Sequence, residues 1–183
     1  VVFPPLDDPA FYLTTAENAV EGRGLEVDVL WSYQVKFPNV THPSHEHWMP
    51  LTTGLIAAVF AIQRAVTGSL EAMLRTGQMP GLILGALLAP ITYLFGRRVL
   101  PQGKGNRWVS LGAASLVVIN ATLSYQSASA DSSAIYALVA FGALAVAVRR
   151  PGEQGGYLGA GLLVALAYLT RADALLLFVA IPL

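Results

Sequence analysis

The stretch SHEHWMPLTTGLIAAVFAIQRAV, residues 44–66, decides how the chain is arranged relative to a membrane. It carries no charge from Leu51 to Ile62, and as an α-helix this run would rise only about 18 Å, too little to cross a hydrocarbon layer of ~30 Å. Two interpretations compete. The segment is either a helix in the membrane interface, with Trp48 as its anchor, or a tilted short span that the polar pair Gln63–Arg64 completes.

The composition indicates a membrane protein. Hydrophobic residues make up 55% of the sequence, charged residues only 12%, and the mean hydropathy is +0.57, which is too apolar for an ordinary soluble domain. The net charge is zero and the basic clusters are limited to the pairs Arg97–Arg98 and Arg149–Arg150, so we expect no nucleic-acid partner. There is no cysteine, which excludes disulfides, thiolate metal sites and cysteine nucleophiles.

The apolar runs predict an all-α fold, a polytopic transmembrane helical bundle with an outer-face loop and juxtamembrane helices. Residues 1–50 are interpreted as the polar outer loop with an acidic pair, and residues 51–68 as a juxtamembrane interfacial helix. The complete runs that follow have roughly 16 to 18 residues, near the lower limit for a transmembrane helix. The predicted transmembrane helices are 79–96, 108–125, 132–148, 155–170 and a truncated 174–183. Because the chain starts at Val1 without a methionine and stops within an apolar run, we expect a fragment of a longer protein.

Positive charge predicts which loops face the cytoplasm. The loop after the first span carries four basic residues between positions 97 and 107, and the loop after the third carries Arg149–Arg150. The positive-inside rule places both loops in the cytoplasm, so the connections at 125–131 and 170–173 lie outside. The first span must then begin outside as well. The 51–66 segment therefore starts and finishes on the outer side with the polar loop, unless that loop is cytoplasmic, and this favours the interfacial helix.

Acidic residues lie on the predicted outer side. Asp7 and Asp8 precede Pro9, a residue favoured at the first helical position, and Asp131 precedes two serines at the start of an apolar run. Both sets suit helix capping, since a carboxylate accepts hydrogen bonds from the free N–H groups of a helix start. Ionisable groups at a membrane also commonly face a cavity or a partner, and a carboxylate there can act as a general base. Capping and catalysis are compatible at both positions.

All three histidines lie in the polar loop, at positions 42, 45 and 47. Imidazole and carboxylate groups are zinc ligands, so His45, Glu46 and His47 could hold a divalent metal. The spacing H-x-x-H-E-H matches no established metal motif, and substrate contact or a solvated loop would explain it as well. The sequence contains no glycine-rich phosphate loop, nucleophile elbow or dinucleotide fingerprint, so no other cofactor is predicted.

Four segments follow one another along the chain: LDDPAFYLTTAENAVEGRGL (6–25), HEHWMPLTTGLIAAVF (45–60), ASADSSAIYAL (128–138) and GLLVALAYLTRADALLLF (161–178). Together, and in this order, they resemble the GT-C membrane glycosyltransferases, which use polyprenyl-phosphate sugars. That family includes protein O-mannosyltransferases and the aminoarabinose transferase of lipid A. Segment 6–25 is similar to the family's first outer loop, and segment 45–60 resembles its juxtamembrane helix. Segment 128–138 resembles a further acidic site of the family, and segment 161–178 is similar to one that ends in Leu-Thr-Arg or Leu-Thr-Lys.

The resemblance implies an inverting sugar transfer on the outer face of a bacterial or archaeal cell membrane by a multi-pass protein. The donor would be a polyprenyl-phosphate-linked sugar, and the acceptor a lipid, a glycan or a protein. Asp8 or Asp7 would accept the acceptor's proton, and Arg171 would hold the departing phosphate. Asp131 and Glu46 would orient the acceptor or the base. The remaining substrate-binding candidates are His45, His47 and Tyr12. The resemblance also implies a transmembrane helix before Val1 and further chain after Leu183.

The alternative function is a polytopic transporter or channel subunit without catalytic activity. Such a protein would carry charges in the middle of its spans and would have paired broken helices. Here the predicted spans are nearly free of charge and the acids lie at their outer ends, which favours an enzyme at the membrane surface.

Overall fold

The computed structural model describes residues 7–27, 42–44, 48–70, 72–101, 103–148 and 156–180. This part of the chain is helical apart from its connections and one short ribbon, so the predicted all-α class is confirmed. The helices are α1 (Asp7–Val20), α2 (Leu51–Thr67), α3 (Met73–Ala86), α4 (Leu88–Val99), α5 (Lys104–Ile119), α6 (Ala121–Ser127), α7 (Ser132–Ala147), α8 (Tyr157–Thr170) and α9 (Leu175–Ala180). A 3₁₀ turn, Ala172–Ala174, joins α8 to α9, and the strands β1 (Glu26–Val27) and β2 (His42–Pro43) pair antiparallel.

The first helix lies within the segment predicted as a polar loop. Apolar residues recur in α1 at Tyr12, Ala16 and Val20, a spacing of four that brings them to one helix face. Tyr12 is 1% exposed and Ala16 is fully buried, so this face belongs to the core. The helix begins at Asp7, two residues before Pro9, so both acids lie in its first turn and not ahead of it. Carboxylates in a first turn interact favourably with the helix dipole.

The second helix runs alongside α1 in the same direction. At its start the Trp48 ring lies 6.2 Å from the Phe11 ring and 6.4 Å from the Tyr12 ring. At its end Arg64 Nη1 donates a hydrogen bond to the Val20 carbonyl oxygen at 3.0 Å. This bond satisfies one of the carbonyl groups that the C-terminus of α1 leaves without a helical partner. Both ends of α2 therefore lie beside α1.

The third helix begins in the same hydrophobic cluster. Met73 packs against the cluster that α1 and α2 form. A Cβ added at Gly77 would lie 3.5 Å from the Ile56 and Phe60 side chains of α2 and would overlap Leu13 of α1. The first half of α3 therefore packs against both α1 and α2.

The apolar helices differ in their ability to cross a membrane. In the part of the chain that the structure describes, one helical stretch, Met73–Val99, is long and apolar enough to cross; it has 27 residues and comprises α3, α4 and a turn at Leu87. The helices α5 and α6 are long enough only together, and they are bent by 59° at Asn120, whose side chain caps α6 by accepting the Leu123 amide at 2.9 Å. The predicted span 108–125 is thus a broken helix. The helices α2, α7 and α8 have 17, 16 and 14 residues, fewer than the ~20 of an ordinary span.

Glycines at every fourth position allow α3 to pack closely against its neighbours. A Cβ added at Gly81 would lie 2.5 Å from the backbone carbonyl oxygen of Ser127 in α6, and one added at Gly85 would overlap the Ser127 side chain. Small residues at this spacing let two helix backbones approach closely. The contact places the end of α6, and hence the start of α7, beside the C-terminal half of α3.

Candidate functional site

The helix α7 connects two chemically different ends of the fold. Beyond its C-terminus, Arg98 Nε donates a hydrogen bond to the Val148 carbonyl oxygen at 3.0 Å, so the basic end of α4 lies beside the end of α7. At its N-terminus, Asp131 and Arg171 both lie close enough to Tyr12 to affect its ionisation. The 16 residues of α7 separate the two ends by about 24 Å. Asp131 and Arg171, which are predicted for the outer side, therefore lie at one end of α7, and Arg98, which is predicted for the cytoplasmic side, lies at the other.

Asp131 caps α7, as the sequence predicts. Its Oδ1 accepts hydrogen bonds from the Ser132 backbone N–H at 2.5 Å and from the Ser132 hydroxyl at 3.2 Å, and its Oδ2 accepts one from the Ser133 hydroxyl at 2.8 Å. The residue before it, Ala130, has a left-handed φ of 56°, a conformation that costs an alanine roughly 1–2 kcal/mol. Both carboxylate oxygens of Asp131 are therefore engaged in holding the start of α7.

Tyr12 lies near three of the charged residues predicted for the site, Asp8, Asp131 and Arg171. The pKa of its phenol is raised to about 12, chiefly by burial; the nearby carboxylates of Asp131 and Asp8 contribute to the rise, while Ser132 and Arg171 oppose it. The hydroxyl is buried beside Ser132 without a well-formed hydrogen bond among the described residues. Tyr12 is therefore a neutral phenol at physiological pH. Because it is 1% exposed, it lies beneath the site and not on its open surface.

Arg171 is held at the rim of a small cavity. Its Nε donates to Asp173 Oδ1 at 3.2 Å, and its guanidinium carbon lies 5.7 Å from the centre of the Tyr136 ring. The cavity, of about 250 Å³, lies between Trp48–Met49 and the segment 170–173. The described hydrogen bonds of Arg171 engage only Nε, so its two terminal amino groups can meet an anion that enters the cavity.

The acidic pair and the histidines differ in how far the structure describes them. Asp8 is half-buried in the first turn of α1 and is one of the groups that act on Tyr12, but it does not line the cavity at Arg171. Asp7 is the first residue of α1, and its side chain is not described. The predicted metal candidates His45, Glu46 and His47 lie outside the described residues. Within the ranges given above, no three His, Asp or Glu residues are grouped as metal ligands, so the divalent metal stays a prediction from sequence.

Tyr136 is the site residue that the sequence did not reveal. It lies one helical turn after Ser132 on the same face of α7, and its ring supports the Arg171 guanidinium. Cation–π contacts of this kind contribute about 0.5–1 kcal/mol at exposed positions. Tyr136 lies four residues after Ser132, the first residue of α7, but nothing in the sequence connects it to Arg171.

Comparison of the chain with protein-family models, with curated proteins and with solved structures finds no match.

Proposed function

We propose that the protein is an integral membrane glycosyltransferase that moves a sugar from a polyprenyl-phosphate donor to an acceptor on the outer face of the membrane. The observation that carries the proposal is the arrangement around Tyr12. Asp8 from α1, Asp131 from the start of α7 and Arg171 from the end of α8 are far apart in sequence, and all three act on this one buried phenol. Such a reaction needs an acid–base group and an anion-binding group within reach of one substrate.

In the proposed reaction an acceptor oxygen or nitrogen attacks the anomeric carbon while the bond from that carbon to the phosphate oxygen breaks. Asp8, or Asp7 beside it, accepts the proton that the acceptor loses. The terminal amino groups of Arg171 stabilise the negative charge on the departing polyprenyl phosphate, and the ion pair with Asp173 and the Tyr136 ring keep the guanidinium in place. Asp131 is a positioning residue, because both of its carboxylate oxygens hold the start of α7.

We further propose that the chain is multi-pass, with α1 and α2 at the outer surface. The main support is that the chain stays beside α1 from Trp48, just before α2, to Arg64 near the end of α2, and that α3 starts in the same cluster. A helix that begins and ends beside α1 fits an interfacial position better than a crossing. The stretch Met73–Val99 would cross first, followed by the bent α5–α6 pair and by α7 and α8, whose lengths of about 24 and 21 Å suit crossings with little tilt or with a locally thinned bilayer.

The alternative, a transporter or channel subunit, has one observation in its favour. The 59° break between α5 and α6 is of the kind found in discontinuous transporter helices. The break is capped by the neutral side chain of Asn120, however, and the acidic groups gather at the end of the bundle around Tyr12. The arrangement of charge therefore favours surface chemistry over a path through the bundle.

The first experiment replaces the proposed base. Asp8→Asn preserves size and most of the helix-start interaction, but it removes the proton acceptor, so transfer from polyprenyl-phosphate hexoses and pentoses should fall by about 10² to 10⁴. Asp7→Asn is measured in parallel because the two acids are adjacent. Glu21→Gln is the control, since Glu21 lies beyond the end of α1 and pairs with Arg23 at 2.6 Å. Near-normal turnover in both single variants and in the double variant would rule out the acidic pair as the base.

A second experiment tests the membrane arrangement. The chain has no cysteine, so single cysteines can be labelled without background. In intact cells an impermeant thiol reagent should reach Leu25→Cys, a position 50% exposed, and Ser129→Cys before α7. It should not reach Gly103→Cys in the basic loop before α5. Labelling of only one of the two predicted outer positions would contradict the interfacial placement of α2.

A further inference from the structure

An apolar groove of about 650 Å³ runs between α4, α7 and α8, at the end of the bundle away from Tyr12. Its walls include Leu94 and Phe95 of α4, Val139 of α7 and Leu163 of α8. On α7, Gly142 also lines the groove, and a Cβ added there would contact the Leu163 side chain at 3.7 Å. The volume is within the usual range of small-molecule binding sites, about 300–1,000 Å³.

One end of this groove is basic. Arg97 and Arg98 line it, and Arg98 Nε is fixed to the Val148 carbonyl oxygen at 3.0 Å. The rings of Phe95 and Phe141, 5.0 Å apart and edge to face, hold α4 against α7 next to the arginines. A guanidinium matches a phosphate in charge and in planar geometry. The groove thus combines an apolar wall with an anion-binding end.

The dimensions of the groove match one leaflet of a bilayer. Along α7 the lining extends from Leu138 to Val146, which is about 12 Å, and along α4 from Ile91 to Arg98, which is about 10 Å. Half of a ~30 Å hydrocarbon core is about 15 Å. The groove therefore begins near mid-bilayer and ends at the surface where the positive-inside rule places Arg97 and Arg98, the cytoplasmic one.

We propose that this groove binds an anionic phospholipid of the cytoplasmic leaflet, with an acyl chain along α7 and the phosphate at Arg97 and Arg98. The inference rests on the membrane placement in the proposed function, but it concerns a different site: the groove follows α7 from Leu138 to Val146, whereas Tyr12 lies beside Asp131 and Ser132 at the start of that helix. Charge complementarity selects the occupant, because two arginines at the rim favour a lipid with net negative charge over a zwitterionic one.

The test measures lipid retention by native mass spectrometry of the purified, delipidated chain in neutral detergent. The probes are phosphatidylglycerol and phosphatidylcholine with identical acyl chains. Phosphatidylglycerol should bind more tightly, by about 5-fold for each of the two arginines, because both lipids carry the phosphate but only phosphatidylcholine carries a cation that offsets its charge. Equal affinity for the two lipids, or no bound lipid of either kind, would overturn the proposal.

Variants locate the site. The double substitution Arg97→Gln with Arg98→Gln should abolish the preference for phosphatidylglycerol, whereas Arg107→Gln, which removes one charge from the same side outside the groove, should preserve it. Gly142→Leu should block both lipids, and a retained preference in the double variant or undiminished binding in Gly142→Leu would contradict the site. The arginine side chains lie at the surface of the groove, so their variants decide the question even if Gly142→Leu does not fold.

The experiments distinguish failure of the lipid-site proposal from failure of the glycosyltransferase proposal. A chain that selects phosphatidylglycerol but transfers no sugar contradicts only the glycosyltransferase proposal. A chain that transfers sugar but shows no lipid preference contradicts only the lipid site.

Discussion

The buried phenol of Tyr12 should make the fold sensitive to alkali, and Tyr12→Phe should remove that sensitivity. The substitution keeps the ring that packs against Phe11 and Trp48, at 5.4 and 6.4 Å between ring centres. It removes a hydroxyl that is buried without a well-formed hydrogen bond among the described residues. At neutral pH we therefore expect the variant to be as stable as the wild type to within about 1 kcal/mol.

The magnitude of the alkaline effect follows from the pKa. The pKa of Tyr12 is raised from 10.0 to about 12, mainly by burial, so the folded state keeps its proton to higher pH than the unfolded state. The stability linked to this proton is fully present below pH 10 and is lost as the pH rises through about 12. One pKa unit corresponds to about 1.4 kcal/mol, so the wild type should lose about 1.4 kcal/mol by pH 11 and about 2.7 kcal/mol when the residue is ionised in both states.

The assay is denaturant unfolding in detergent micelles, followed by circular dichroism, for the wild type and Tyr12→Phe at pH 8 and pH 11. The difference in unfolding free energy between the two proteins cancels the effect of alkali on all other groups. It should shift by about 1.4 kcal/mol in favour of the variant between the two pH values. Tyr125→Phe, at a position 52% exposed, is the control and should show no such shift. If the difference between wild type and Tyr12→Phe stays constant, Tyr12 is not buried as described.

Two further substitutions test the packing and the cap. Gly81→Ala should destabilise the protein by about 1–3 kcal/mol, because the new Cβ would meet the Ser127 carbonyl oxygen at 2.5 Å; Gly161→Ala, which has open space, should instead be neutral or gain up to about 1 kcal/mol of helix propensity. Melting temperatures in detergent measure both, and equal effects would refute the close contact at Gly81. Asp131→Ala should cost about 1 kcal/mol by removing the cap of α7, while Asp131→Asn should retain most of it. An equally large loss in Asp131→Asn would show that charge, and not capping, matters there.

Sequence alone was sufficient for the features that depend on neighbouring residues. The length and breaks of the apolar runs predicted the helices α2, α7 and α8 to within a few residues, since a hydrogen-bonded turn needs only residues four apart. The cap at Asp131 was predicted for the same reason: its partners are the next two residues along the chain. The basic loops predict which helix ends share one side of a membrane, and that sidedness stays a prediction; in the structure the ends of α4 and α7 meet through Arg98.

The candidate site could be predicted only as a set of separate residues. Asp8, Asp131 and Arg171 carry no local signal that they share Tyr12 as a neighbour, and the resemblance to GT-C enzymes implies only that the three serve one reaction. The helix α1 was not predicted, because its few apolar residues lie among polar and charged ones, a composition that is typical of a loop. Its apolar face is identified only by its packing against α2. The glycines of α3 likewise reveal their role only against Ser127. These features depend on packing between segments up to about 160 residues apart, and local periodicity contains no information about which buried faces meet.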